Sequence, residues 1–179
     1  KDHFGTTIIA MFTDEPSTTG RGARRGPVAP YTSGFDEWLE QRWGEDPRSW
    51  LPALWLDFGE GTQSFRQKYD KAIQARLHEV FYDAQRTWCE EHEIALTGHP
   101  HDSNDLTSLR QFHVPGQDMV WRYVEPGKPT ALQGKHSVAA KCATSGARLN
   151  NRQRVLTEVF GAYGWRLTLD EVKWLLDWH

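Results

Sequence analysis

Thr6-Thr7-Ile8-Ile9-Ala10-Met11-Phe12-Thr13-Asp14-Glu15-Pro16 is the stretch on which the fold reading turns. The nearly all-apolar, β-branched run from Thr6 to Phe12 is the pattern of a strand buried on both faces in a parallel sheet, and it stops at charged residues. The pattern recurs further along. Ile94 to Thr97 stops at Gly98-His99-Pro100-His101-Asp102, a short extended segment near Met119 to Val124 follows Asp118, and Arg154 to Thr157 arrives at Glu158. Helical spacing fills the intervals. Ser33 is placed to cap a helix carrying Phe35, Trp38, Leu39 and Trp43, with Asp36 closing a capping box. Thr62 to Glu91 keeps Phe65, Tyr69, Ile73, Leu77, Val80, Phe81, Ala84 and Trp88 on one face. Lys135 to Ser145 reads as a helix closed by Gly146, and Thr168 caps a last helix with Leu169, Val172, Leu175 and Leu176 as its buried stripe. Strands alternating with helices predict a parallel α/β arrangement with right-handed crossovers.

The chain has 179 residues, read as a single domain over 1–179. That is short of the roughly 250 residues of a complete (β/α)₈ barrel. With 38% hydrophobic residues and nine Trp it has enough apolar material for a core. A formal net charge of -3 gives no global attraction for nucleic acid or an anionic membrane. No apolar run approaches the roughly 18 residues of a spanning helix, and Lys1-Asp2-His3-Phe4 lacks the pattern of a signal peptide. Cys89 and Cys142 lie far apart with no CxxC pair, so neither a disulfide scaffold nor a cysteine zinc site is expected. The start without Met and the finish inside an apparent helix suggest a piece of a longer protein. Pro16 to Gly34 reads as a long loop whose Arg21, Arg24 and Arg25 either bind an anion or are simply solvated.

In a (β/α) barrel the working residues sit at the carboxyl ends of the strands. Here those ends carry Asp14 and Glu15, then His99, His101 and Asp102, then Asp118, then Glu158. Converging carboxyl groups are what glycosidic bond cleavage needs: one kept protonated for the leaving oxygen, the other ionised to attack or to activate water. Aromatic neighbours such as Trp165 can desolvate the acid and offer a surface for a sugar ring.

The segment Arg154 to Trp165, RVLTEVFGAYGW, followed by LTLDEVKWLLDWH, resembles the late catalytic strand and helix of large bacterial glycoside hydrolases of the α-L-rhamnosidase-like type (glycoside hydrolase family 106). IIAMFTDEP is similar to the acid-bearing strand of the wider barrel glycosidase group, with Asp14 where many of those enzymes have Asn, and TWCEEHEIALTGH resembles the helix and strand before their middle loop. The resemblance implies a partial (β/α)₈ TIM barrel, about strands four to seven with their helices, acting on a plant or bacterial polysaccharide. It implies Glu15 as general acid and Glu158 as nucleophile or base. It also implies His99, His101, Asp118, Lys135, Tyr163 and Trp165 as sugar-binding or stacking residues. Asp14 beside Glu15 is itself a candidate acid, substrate contact or calcium ligand; no other cofactor is expected.

Two alternatives remain open. His99, His101 and Asp102 are spaced to share a zinc or iron ion, which makes a metal-dependent hydrolase the chief rival, although no HExxH pair supplies further ligands. A carbohydrate-binding module without catalysis is compatible with the tryptophans and histidines. Trp38, Trp43, Trp50, Trp55 and Trp88 are expected in the core, whereas Trp121 and Trp165 stand near strand ends. Ser137 and Ser145 lack a His and Asp pattern, so serine nucleophile chemistry is not expected. Half a barrel leaves strand edges unpaired, and the chain is expected to self-associate through them.

Overall fold

A computed structural model describes residues 1–20 and 28–179; Arg21, Arg24 and Arg25, read above as an anion site or a solvated loop, lie outside the described residues. Four strands form one parallel sheet in the order of the chain: β1 (Ala10–Asp14), β2 (Ala95–His99), β3 (Val114–Val120) and β4 (Leu156–Gly161). The helices are α1 (Phe35–Trp43), α2 (Thr62–Leu77), α3 (Asp83–Glu91), α4 (Leu106–Leu109), α5 (Ala139–Leu149) and α6 (Leu169–Trp178). The described residues divide into two compact units, one made of Lys1–Pro16 with Tyr82–His179 and the other of Ser17–Phe81. No helix among the described residues is long and apolar enough to cross a membrane.

The first unit holds the whole sheet. Side chains alternate across it, so Leu96, Gln117 and Met119 share one face while Phe12, Asp14, His99, Asp118 and Glu158 share the other. On the first face Met119 is fully buried with Val124 and Ala139, and Trp174 and Trp178 of α6 pack against them. Thr168 accepts from the Glu171 backbone N–H in a complete capping box, as the sequence predicts. Of the expected α6 stripe only Leu175 is fully buried, while Leu169 and Leu176 are exposed.

β1 is not buried on both faces. It begins four residues later than the run Thr6 to Phe12, lies at the sheet edge, and leaves Ile9 and Phe12 64% and 50% exposed. Of the expected extended segment at Met119 to Val124 only Met119 and Val120 are strand, the end of β3, which starts at Val114. Pro115 and Gly116 look like breakers in sequence, and they do shorten the β2–β3 ladder to Thr97↔Val114 and Gly98↔Pro115. The Thr97 hydroxyl supplements it by donating to the Val114 carbonyl at 2.9 Å. Glycine is required at this junction. A Cβ on Gly98 would stand 1.9 Å from the Thr13 carbonyl oxygen, and one on Gly116 would stand 2.5 Å from the Gly98 carbonyl oxygen. Gly146 does not end α5 but lies inside it, 3.0 Å from Leu109 at the position a Cβ would take.

The second unit is helical and aromatic. Phe35, Leu39, Phe65, Tyr69 and Ile73 form its core, with Trp38 and Trp43 partly buried against them. Gly34, not Ser33, precedes α1 in a left-handed conformation. Asp36 makes no capping box; it accepts from the Tyr31 hydroxyl at 2.8 Å and pairs with Arg48. The long helix predicted over Thr62 to Glu91 is present as α2 and α3, joined by a π-helical turn at His78–Tyr82. Trp50 and Trp55 of this unit, and Trp88 of the first, are not core residues, because each keeps more than a third of its surface exposed.

Candidate functional site

The open sheet face carries the site. Asp14 and His99 are register partners on β1 and β2, and Asp118 and Glu158 are partners on β3 and β4. Gly116 follows Pro115, the last residue of β3 in register with β2, on the strand that carries Asp118. Regular alternation would send Glu15 to the opposite face from Asp14. It does not, because Glu15 adopts a left-handed backbone with φ 39° while its N–H donates to the His99 carbonyl at 3.2 Å. Such a conformation in a non-glycine residue costs of order 1–3 kcal/mol and is concentrated at functional sites.

Four carboxylates thus gather around one ring. His99 is 1% exposed. Its Nε2 lies 3.4 Å from an Asp14 oxygen and 3.5 Å from a Glu158 oxygen, so those two oxygens are within about 7 Å of each other. Ligand atoms of Glu15, His99 and Asp118 all lie within 4.8 Å of one another. Phe12 meets the His99 ring edge to face at 5.7 Å. Neither His99 ring nitrogen makes a hydrogen bond among the described residues, although Nε2 lies within ion-pair range of Asp14 and Glu158. A buried polar group without one costs about 1–3 kcal/mol, and a bound group that satisfies it offsets that cost.

The electrostatics separate the acids. Burial, followed by the Asp118 and Asp14 charges, pushes the Glu15 carboxyl above its ordinary range, against the opposing pull of His99 and His101. Asp118 is likewise raised, first by burial and then by Glu158 and Asp14, with His99 opposing. Glu15 is half-buried and Asp14 exposed. The surroundings of Glu15 favour its protonated form.

The remaining predicted residues spread around this centre. His101 and Asp102 are exposed, and Asp102 lies 3.9 Å from the Lys135 ammonium on the loop before α5. The ligand group that gathers among the described residues shares His99 with the predicted metal trio but replaces His101 and Asp102 by Glu15 and Asp118. Two carboxylates and an imidazole suit a transition-metal cation such as zinc or iron better than calcium, whose ligands are oxygens. Trp165 is fully exposed beyond β4. Tyr163 is buried, with its hydroxyl donating to the Val124 carbonyl and its ring 5.3 Å from the Arg122 guanidinium. Its contacts are those of a loop brace, not of a group facing a ligand: Arg122 also holds the Tyr163 carbonyl at 2.9 Å and Glu171 at 2.7 Å. The sequence reading missed His136, which stacks on Tyr123 at 4.0 Å and interacts with the Asp118 charge. Its place beside Lys135 was the only signal.

No family model matches the sequence, and no curated protein matches it. Among solved structures, the chain is similar to the rhamnosidase from Novosphingobium sp. PP1Y, with a TM-score of 0.64 and 18% identity over 84% of this chain and 15% of that one. The chain therefore spans a small part of that enzyme's length. At this identity the likeness is one of fold: an α/β, rhamnosidase-like arrangement consistent with part of a barrel.

Proposed function

We propose that the chain is part of a glycoside hydrolase catalytic barrel, about strand–helix units four to seven, and that Glu15 and Glu158 act on an O-glycosidic bond of a rhamnoside-like substrate. The carrying observation is the convergence of carboxylates from β1, β3 and β4 on the buried His99 at the carboxyl ends of parallel strands. The sheet order β1-β2-β3-β4 has no reversal, which suits a singly wound barrel better than a doubly wound sheet. Glu15, held towards its protonated form, donates to the leaving oxygen, while the exposed Glu158 attacks the anomeric carbon or activates water. Asp14, His99 and Asp118 bind sugar hydroxyls, with His101 and Lys135 further out and Trp165 as a stacking surface. In the full-length protein, Glu15→Gln and Glu158→Gln should each lower turnover of an aryl rhamnoside by about 10² to 10⁴ with the thermal midpoint unchanged. Turnover within a few-fold of the unsubstituted enzyme would remove that residue from the mechanism.

A second reading, a metal-dependent hydrolase, is favoured by the gathering of one ligand atom each from Glu15, His99 and Asp118 within 4.8 Å of one another. Elemental analysis decides it. A stoichiometric ion that is lost in His99→Ala, with no glycosidase activity in the metal-loaded protein, would replace the first reading. An ion-free protein that still cleaves the glycoside would exclude the second.

A further inference from the structure

The second unit contains a cavity of about 260 Å³ that the strand-end chemistry does not use. Trp50 stacks on Phe65 with ring centroids 5.9 Å apart, and Trp43 meets the same Phe65 edge-on at 5.9 Å, so three rings form its apolar wall. The wall is open to solvent, since Trp50 is 37% exposed. Gly61 permits this placement: it takes φ 95°, and a Cβ there would stand 3.1 Å from the Trp50 ring. Ser64 and Lys68 project from one face of α2 at i, i+4, and Glu45 and Asp46 close the rim.

The charges at the rim narrow the ligand. The Lys68 ammonium sits 4.2 Å from the Trp43 ring centroid, where the ammonium of a cationic ligand would otherwise stack. Glu45 neutralises that ammonium at 2.6 Å and Asp46 is paired with Arg48 at 3.4 Å, so these rim charges already have partners and favour neither an anion nor a cation. What fits is a neutral molecule with one apolar face and a polar edge. A pyranose ring has that form: its C–H face packs on indole while its hydroxyls reach the carboxylates, the ammonium and the Ser64 hydroxyl. The volume lies just below the roughly 300 Å³ at which pockets for drug-sized ligands begin, as a single sugar unit requires. We infer that this cavity binds one neutral pyranose unit of a saccharide, through Trp43 and Trp50, independently of any catalysis at the strand ends.

The test reads the indole N–H resonances of Trp43 and Trp50 in the ¹⁵N-labelled full chain, assigned through Trp43→Phe and Trp50→Phe. Methyl α-L-rhamnopyranoside and methyl β-D-glucopyranoside serve as probes, with tetramethylammonium as the cationic comparison. At least one pyranoside should shift both resonances saturably in the unsubstituted chain and equally in His99→Ala, where the strand-end centre is lost. Trp50→Ala should raise the dissociation constant about tenfold or more, read on the Trp43 resonance. Glu45→Gln, an exposed change that leaves the packing alone, should weaken binding about threefold or more and keeps the idea testable if Trp50→Ala does not fold. Resonances that stay still with both sugars, that respond only when His99 is present, or that move as far with tetramethylammonium would overturn the inference.

Discussion

The two units handle charge in opposite ways. In the helical unit acids and bases are matched: Arg48 meets Asp36, Glu40 and Asp46 at 3.1, 3.5 and 3.4 Å, Lys68 meets Glu45, and Arg76 meets Glu79 at 2.8 Å. At the strand ends Asp14, Glu15, Asp118 and Glu158 gather around His99, and no lysine or arginine pairs with any of them among the described residues. Burial raises the carboxyl pKa of two of these acids, and the opposing pull of His99 does not cancel it. Pairs like those of the helical unit are worth about 0–1 kcal/mol each when exposed and serve local structure. A cluster of one sign around an unsatisfied ring works against stability, and such clusters mark sites of chemistry or binding.

This contrast can be broken most severely at the backbone. The sheet holds its acids through the close passage of β1 and β2, where Gly98 has φ 131° and a Cβ would overlap the Thr13 carbonyl oxygen. Neither partner can give way, so Gly98→Ala should cost at least about 3 kcal/mol in chemical denaturation. In the helical unit Gly61 also has a positive φ, but its added Cβ would meet only the edge of the Trp50 side chain. Gly61→Ala should cost about 1 kcal/mol, most of it backbone strain. Equal losses at the two glycines would show that the strand crossing is not the stiffer support.

The same backbone detail marks what the sequence could disclose. The ends of β1 and β2 were legible because an apolar run stops at a polar or charged residue, which picked out Asp14, Glu15 and His99; Asp118 and Glu158 were picked out too, but β3 and β4 run on past them to Val120 and Gly161. The capping box at Thr168 and the long helix through Phe65 and Trp88 were legible for the same reason: their signals are local. The span of β3 was not, because Pro115 and Gly116 read locally as breakers and only the neighbouring carbonyl of Gly98 explains the glycine. Nor could spacing show that Glu15 turns back to the face of Asp14, since that depends on one left-handed residue. The tryptophans of the second unit misled for a related reason. The apolar pattern places Trp50 and Trp55 among core residues but does not show which ring edge faces solvent.

The smallest effect gives the finest comparison, because its sign differs between the units. Asp118 has a raised carboxyl pKa, so the folded chain binds its proton more tightly than the unfolded chain does. Its contribution is least unfavourable in acid, and stability is lost as pH climbs from the ordinary aspartate value through the folded one. Above that window Asp118→Asn removes a desolvated charge that faces Glu158, Asp14 and Glu15, with His99 and His136 the imidazoles nearby. At pH 7 the variant should be more stable than the unsubstituted chain by about 0.5–1 kcal/mol, and the gain should vanish below about pH 3.5, where both side chains are neutral. Arg48→Ala in the helical unit should instead lose up to about 1 kcal/mol at neutral pH, and less in high salt. A destabilised Asp118→Asn would mean that this carboxylate is paired like the acids around Arg48. The strand-end cluster would then be a structural network and not a set of charges held ready for a ligand.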